Sequence, residues 1–310
     1  MRRIELCMIA AALTCSLTLT SCSNDDSPVG GNPQEETPVQ PSQQKRVSQM
    51  TTYSLKDGER LLKDVDQCTY DSQGRIKEWK NFDNSTGEQR LDHWAEFSYS
   101  DSQIYTVRKL ASYSDAPTSV TETYFDMDSE GRIVKRSIYS YSEGSPRPEA
   151  PQAISTYEYD GQGRMISHTF AYEKKDYDWQ DGDMLTVTNY EWQNDNIHTV
   201  TVLNEEGAVK SVRTYEPSDI TADRVIPVDF NDCEDWLAAY GFFGKTSRFL
   251  PASESIKVYA KDKLFTVEDI QFTYVITDGL VTTISQKIEN NIILLNKASS
   301  TEYETTVEWK

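Results

Sequence analysis

The chain has little of what most enzyme and metal chemistry needs. It carries three histidines, His93, His168 and His198, and five cysteines among 310 residues. No two of the histidines lie at zinc-ligand spacing. There is no Gly-x-Ser-x-Gly elbow to present a serine nucleophile, and Cys68 and Cys233 lack recognisable catalytic surroundings. Basic residues are short as well, 31 against 50 acidic ones, for a formal charge of −19. A chain this acidic repels phosphate backbones and anionic headgroups, which disfavours nucleic-acid binding. Long apolar runs are also missing. The one candidate, Leu6 to Leu19 behind Arg2 and Arg3, is shorter than the roughly 20 residues a spanning helix requires.

That run reads as a processing segment and is set aside from fold reasoning. It closes on Leu19-Thr20-Ser21-Cys22, which resembles a bacterial lipobox, in which cleavage leaves an acylated cysteine at the N-terminus. An ordinary signal peptide with a chance cysteine is the alternative. Lipid attachment at Cys22 would anchor the chain to a bilayer, each buried methylene contributing about 0.8 kcal/mol. Ser23-Asn24-Asp25-Asp26 resembles the acidic signal that displays Bacteroidota lipoproteins on the outer face of the outer membrane; a solvated start to a linker is the alternative. Residues 27–47 are rich in Pro, Gln, Gly and Glu without apolar period, as a disordered tether is. The expected organisation is a signal peptide over 1–21, a tether over 22–47 and one domain over 48–310. Loss of the leader takes two basic residues and one acidic one, leaving a charge of about −20 spread along the chain. Cys68 and Cys233 are then the remaining thiols outside the anchor. An exported setting permits a disulfide between them, with two separate half-buried thiols as the other possibility.

From residue 48 onward Thr, Val, Ile, Tyr and Ser alternate in short runs, the composition of strands. A phrase punctuates them. Thr69-Tyr70-Asp71-Ser72-Gln73-Gly74-Arg75-Ile76 returns as Phe125-Asp126-Met127-Asp128-Ser129-Glu130-Gly131-Arg132-Ile133 and again as Tyr157-Glu158-Tyr159-Asp160-Gly161-Gln162-Gly163-Arg164-Met165. Weaker copies lie at 100–104, 193–197 and 204–209. In each of the three full copies, an Asp can cap the amides of the turn it opens, a Gly three residues later accepts positive φ, and an Arg starts the returning strand on its wet face. Asp278-Gly279 between Phe272–Thr277 and Leu280–Ile284 is a further hairpin signal.

Gly74, Ser102, Gly131, Gly163 and Asn196 recur roughly 30 residues apart, the length of two strands with two connections. The tight turns should therefore share one end of a sheet. The longer connections, 82–93, 112–120, 141–153 and 173–183, should share the other. The expected fold is mainly β, a large antiparallel meander of about 14–16 strands curled into a barrel-like roll or strongly curved sheet. One short helix is expected near 230–241, with Asp229 or Asn231 as N-cap. Its stripe of Phe230, Cys233, Trp236, Leu237 and Tyr240 has helical period, and Gly241 is its stop. The stripe predicts a helix plugging or covering one opening of the curved sheet, with an exposed binding helix as the alternative.

Tight turns at one end and long loops at the other also describe outer-membrane barrels. Three features favour a domain outside the bilayer. A lipid anchor would be redundant on an embedded barrel, the mean hydropathy is strongly polar, and the sequence ends Val307-Glu308-Trp309-Lys310 rather than on an aromatic.

Tyr-Asp-x-x-Gly-Arg-Ile resembles the YD repeats of the Rhs family. A closer resemblance is to an uncharacterised family of secreted Bacteroidota lipoproteins with a porin-like β fold. These combine a lipobox, degenerate Tyr-Asp-x-x-Gly-Arg hairpins and a late Gly-Phe-Phe-Gly-Lys-x-Ser-x-x-Leu-Pro stretch, here Gly241 to Pro251. The resemblance covers nearly all of 48–310. The family offers no established catalytic residue, so nothing functional carries over beyond the anchor; from the residues themselves no cofactor and no metal is expected.

Other motifs have simpler readings. Gly244-Lys245-Thr246 is similar to the end of a P-loop, but the Gly required five residues earlier is Ala239, so a packed glycine turn explains it. Asp126 to Ile133 fits the start of a calcium loop, yet Ser137 stands where the bidentate carboxylate belongs; a hairpin turn explains the same residues. Paired carboxylates for glycoside hydrolysis are too numerous in so acidic a chain to discriminate. Trp79, Trp94, Trp179 and Trp192 lie near strand ends or long loops, where a ring either stacks on a ligand or packs in the core. These observations together point to a non-enzymatic, lipid-anchored outer-membrane protein facing the exterior, which binds an extracellular glycan or an envelope protein. A structural envelope component without a ligand, and a carbohydrate-active enzyme with an unrecognised carboxylate pair, are the competing readings.

Overall fold

The computed structural model describes residues 45–84, 86–111, 118–173, 184–221 and 233–310. Cys22, the leader, the tether up to residue 44, Trp179, Phe230 and both expected helix caps lie outside them. Sixteen antiparallel strands follow one another around a closed barrel, each paired with its neighbours in sequence, and β1 (Val47–Lys56) closes on β16 (Lys297–Trp309). The strand count falls within the expected range, and the sheet closes, which leaves it without an edge to pair with other chains.

The strands run alternately between two ends. β2 (Glu59–Tyr70) and β3 (Ile76–Asp83) meet at Asp71–Arg75; β4 (Arg90–Tyr99) and β5 (Gln103–Leu110) meet at Ser100–Ser102; β6 (Ser119–Met127) and β7 (Ile133–Ser142) meet at Asp128–Arg132. β8 (Ala153–Tyr159) and β9 (Met165–Tyr172) follow across Asp160–Arg164, and β10 (Leu185–Gln193) and β11 (Asn196–Leu203) across Asn194–Asp195. These tight turns share one end, together with the start of β1 and the finish of β16. The strand ends that border 84–89, 111–118, 143–152 and 173–184 share the other, as the spacing predicts. The Asn204–Ala208 copy lies at this second end. Asn204 Oδ1 still accepts the amides of Glu206 and Ala208, so the turn is a local device that serves either end.

The strongest copies are superimposable in their bonding. Asp128 Oδ1 accepts the amides of Glu130 and Arg132 at 2.9 Å, and Oδ2 accepts Arg132 Nε at 2.8 Å. Asp71 with Arg75 and Asp160 with Arg164 repeat the set. Burial works upward on each of these carboxyls, but the amides and the guanidinium hold all three below the ordinary range. The arginines do not simply face water, contrary to the sequence reading. Each closes on its own Asp and lies over an aromatic ring of the next hairpin: Arg75 over Tyr99 at 4.3 Å, Arg132 over Tyr159 at 4.8 Å, Arg164 over Trp192 at 5.6 Å.

The same rings donate back to the carbonyl just after the arginine. Tyr99 Oη reaches Ile76 O at 2.8 Å, Tyr159 Oη reaches Ile133 O at 2.6 Å, and Trp192 Nε1 reaches Met165 O at 2.8 Å. Arg46, Val47 and Tyr70 repeat the arrangement where the barrel closes. Hairpin is thus stapled to hairpin around the tight-turn end by a charge over a ring and a hydrogen bond to backbone.

β12 (Val209–Thr221) runs to the tight-turn end and β13 (Phe249–Ala260) returns from it. Between them α1 (Cys233–Ala239) lies at the tight-turn end. Trp236 and Leu237 are fully buried with Ala238 in the core cluster, each large side chain contributing on the order of 1.5–3 kcal/mol by leaving water. Gly241, at φ 81°, ends the helix as its position predicts. Its amide reaches Ala238 O and the Phe242 amide reaches Leu237 O, which is a Schellman stop.

β14 (Lys263–Thr277) and β15 (Leu280–Ile292) complete the wall, with Asp278 and Gly279 both at positive φ in their two-residue turn. A short 3-10 turn, Ile293–Leu295, leads to β16.

Candidate functional site

The segment after α1 seals the tight-turn end. Phe242 stacks on Tyr99 at 5.8 Å and Phe243 meets Tyr157 edge-on at 5.0 Å. Tyr70 Oη donates to Val47 O, so the Tyr240 hydroxyl, 2.6 Å away, must donate to Tyr70. Backbone bonds then tie the segment to successive turns: Ile133 N to Phe242 O, Lys245 N to Gly163 O, and Arg248 N to Asp195 O. Gly244 is held at φ 83°, where a Cβ would land on the Gly163 carbonyl and the Tyr159 ring. The Gly244-Lys245-Thr246 motif is therefore a seam. Lys245 Nζ is bound to Asp195 at 3.1 Å.

The inner wall changes character with height. Beside the plug it is apolar, with Met50, Ile76, Ile104, Phe125 and Ile133 fully buried. Further toward the loop end it turns polar in two sectors. On β2 to β4, Asp66 is 3% exposed and its Oδ1 accepts Trp79 Nε1 at 2.8 Å and Asn81 Nδ2 at 3.1 Å. Burial pushes the Asp66 carboxyl up to about 7 against the pull of those two bonds. Asp64 and Asp83 face each other across β2 and β3; burial, then Asp83, raises the Asp64 carboxyl. His93 stacks on Trp79 at 6.3 Å and pairs with Asp92 at 2.7 Å.

On β7 to β9, His168 stacks on Tyr157 at 4.6 Å. Burial and then Arg136 lower the imidazole to about 3, so it is neutral at any physiological pH. Arg136 donates to Ser155 Oγ and lies 5.8 Å from the Phe170 ring, which meets Tyr172 edge-on at 4.9 Å. A buried ion pair, Arg213 to Glu254 at 2.8 Å, links β12 and β13.

Asp66 is the strongest candidate for a general acid, but both its partners come from β3 and it is closed from solvent. Among the described residues no group of three His, Cys, Asp or Glu side chains is arranged to hold a metal ion. Asp128, the central residue of the calcium-like stretch, spends its oxygens on the turn. Cys68 is a free, buried thiol, and burial, then Asp66, raises it.

The outer wall differs by sector. On β14 to β16 the outward positions read Asp269, Gln271, Thr273; Ser285, Lys287, Glu289; Glu302, Glu304, Thr306. A lipid-facing barrel presents a continuous apolar band about 25 Å tall at such positions. On β4 to β7 five outward positions are aromatic, set among charged and small residues. Paired registers place Trp94, Lys109, Val120 and Tyr141 in one row, Glu96, Val107, Glu122 and Tyr139 in the next, and Ser98, Tyr105, Tyr124 and Ser137 in a third.

The tyrosines gather around one ion pair. Tyr105 and Tyr124 lie 4.8 Å apart, and Tyr124 meets Tyr139 edge-on at 5.7 Å. Glu122 accepts Tyr141 Oη at 2.6 Å and Arg147 Nε at 2.9 Å, and the Arg147 guanidinium lies 3.7 Å from the Tyr139 ring. Lys109 sits 5.4 Å over Trp94 and binds Glu143 at 2.8 Å. Burial, then Glu122, raises the Tyr105 phenol, and the bond to Glu122 raises Tyr141.

Of the tryptophans singled out in the sequence, Trp79 is 1% exposed and bonded inside the barrel. Trp192 is committed to the staple beneath Arg164. Trp94 alone of those described stands on the outer wall. Tyr105, Tyr124, Tyr139 and Tyr141 sit in no motif of the sequence. Their signal was phase: Thr106 and Thr123, next to Tyr105 and Tyr124, are the buried ones, so the tyrosines occupy the outward positions.

No protein-family model and no curated protein matches the chain. Among solved structures it is similar to a porin-like protein from Bacteroides uniformis ATCC 8492, at TM-score 0.54 and 14% identity over 84% of this chain and 96% of that one. A porin-like protein from Bacteroides vulgatus ATCC 8482 aligns at TM-score 0.46 and 12% identity over 85% and 98%. The first likeness is one of fold, and the fold is a porin-like β-barrel.

Proposed function

We propose that the chain is a lipid-anchored outer-membrane protein, held outside the bilayer by acylated Cys22 and facing the exterior, which acts as a non-enzymatic binding module. The observation that carries this reading is the distribution of polarity across the wall. Charged and hydroxyl side chains point outward at mid-height on β14 to β16, where lipid would meet them, while apolar side chains and α1 fill the barrel at the tight-turn end. A wall of that kind suits water outside and a packed core inside, and a plugged end does not suit a pore.

β1 begins with Val47 at the plugged end, so a tether ahead of it would leave the barrel there and the loop end would point away from the membrane. A glycan is the ligand favoured by the outward aromatics. An envelope protein is the second reading, supported by a scatter of apolar side chains at the loop end: Leu61, Leu110, Tyr172, Val209, Ile293 and Leu295 are all exposed. Isolated exposed apolar residues are common, which ranks this reading second.

The test is in two parts. Metabolic labelling with a palmitate analogue should mark the wild-type chain and leave Cys22→Ser unmarked. The Cys22→Ser chain should then purify and fold in water without detergent. Folding only in detergent, or ion conductance in a planar bilayer, overturns the reading.

A further inference from the structure

We propose that the outward face of β4 to β7, from Trp94 to Tyr141, is a platform for a neutral polysaccharide. The proposal rests on the exposed, tethered placement above and adds the ligand class and the residues. The platform spans four strands, about 14 Å at the usual strand spacing, long enough for a few sugar rings laid across the strands. Arg147 already lies over Tyr139 at 3.7 Å and Tyr124 at 5.4 Å, and Lys109 over Trp94 at 5.4 Å, so a sugar would lay its C–H faces on Tyr105 and on the parts of the other rings that the cations leave. The Tyr105 and Tyr124 hydroxyls stand in the same row and turn toward Glu122, Tyr124 Oη donating to its carboxylate at 3.4 Å, so a sugar hydroxyl would join a polar cluster that is already ordered. Glu122 at the centre accepts from Tyr141 and Arg147, so its position is fixed before a ligand arrives, which lowers the entropy lost on binding.

Charge selects the ligand class. Both cations on the platform are already paired, Arg147 with Glu122 and Lys109 with Glu143. Glu96 adds a negative charge in the middle row, and the whole chain is strongly acidic. A polyanionic glycan would be repelled, whereas a neutral one meets stacking surfaces and fixed polar groups. A protein partner fits less well, because the core of a protein interface is depleted of charged residues and here Glu122 and Arg147 lie at the middle of the patch.

Affinity electrophoresis of the whole chain through gels carrying neutral polymers (xylan, mannan, galactan, β-glucan) or polygalacturonate tests this. At least one neutral polymer should retard the protein, and polygalacturonate should not. Tyr124→Ala and Trp94→Ala should each weaken retardation about 10-fold or more, as removing a ring that stacks on a nucleic-acid base does. Tyr124→Phe should keep most of it, since the ring remains, and Tyr172→Ala at the loop end should not change it. Circular dichroism confirms that each variant is folded. Retardation by no neutral polymer, by polygalacturonate alone, or by a neutral polymer with Tyr124→Ala unaffected overturns the platform. None of these outcomes bears on palmitate labelling or on folding without detergent, so failure of the platform is distinct from failure of the anchored module.

Discussion

Replacing Asp66 with asparagine should make the protein more stable at neutral pH, and the gain should grow with pH. Asp66 is buried between β2 and β3, and burial raises its carboxyl from 3.8 to about 7. In the unfolded chain the group ionises near its ordinary value; in the folded barrel it keeps its proton almost to neutrality. Between those two values the folded state binds the extra proton, so stability falls as pH rises, by about 1.36 kcal/mol per pH unit. The stabilisation is fully present below 3.8, declines through the window and is gone above about 7. From pH 5 to pH 8 the loss from this group is about 3 kcal/mol.

Asparagine keeps the acceptor, since Trp79 Nε1 and Asn81 Nδ2 both donate to the same oxygen, Oδ1, and it cannot ionise. His168 slopes the other way: its imidazole is held neutral down to about 3, so it supports the fold above its ordinary pKa and less as pH falls. That contribution is common to both proteins and cancels in their difference. Urea unfolding of wild type and Asp66→Asn at pH 5, 6, 7 and 8 measures the effect. The difference in unfolding free energy should change in favour of the variant by about 3 kcal/mol across the series. Parallel pH profiles would refute the placement of an ionisable carboxyl in that wall.

The stapled turns make two further predictions. Asp128→Ala removes the acceptor for two amides and the partner of Arg132 and should lower stability by about 1–2 kcal/mol, read from the urea midpoint. Tyr159→Phe keeps the ring under Arg132 but deletes the bond to Ile133 O, and should lower stability by about 1 kcal/mol. An unchanged midpoint would mean that hairpins are joined by the ladder alone. Trp236→Ala empties the seal of the tight-turn end and should lower stability by about 3–5 kcal/mol, with hydrogen exchange accelerating at the amides of Ile133 and Lys245, which bond to the plug segment and its neighbour turn.

Much of the barrel was legible because its signals are local. The Asp-x-x-Gly-Arg phrase carries its own turn: Asp71, Asp128 and Asp160 bond the same two amides and the same arginine, whatever surrounds them. The spacing of these turns then sorted tight and long connections to opposite ends, since each strand must cross the sheet once. Trp236, Leu237 and Gly241 announced a short helix and its stop through period and backbone freedom. The staples were not legible. Tyr99, Tyr159 and Trp192 reach carbonyls more than twenty residues back, a partnership that exists only once neighbouring hairpins lie side by side. Trp79 and Trp94 show the same limit at the candidate site. Both are tryptophans on neighbouring strands, but one points into the barrel and the other out of it.

What the sequence determined by itself is therefore the turn chemistry, the alternation of strands and the acidic, metal-poor composition, because each depends on contacts within a few residues. Only the tertiary structure decided that the sheet closes, that α1 seals the tight-turn end, and that Trp94 and four tyrosines of β5 to β7 share one outward face. A strand fixes which residues lie on the same side. Which side becomes the inside is settled by the joining of β1 to β16 and by the apolar side chains that leave water together with α1.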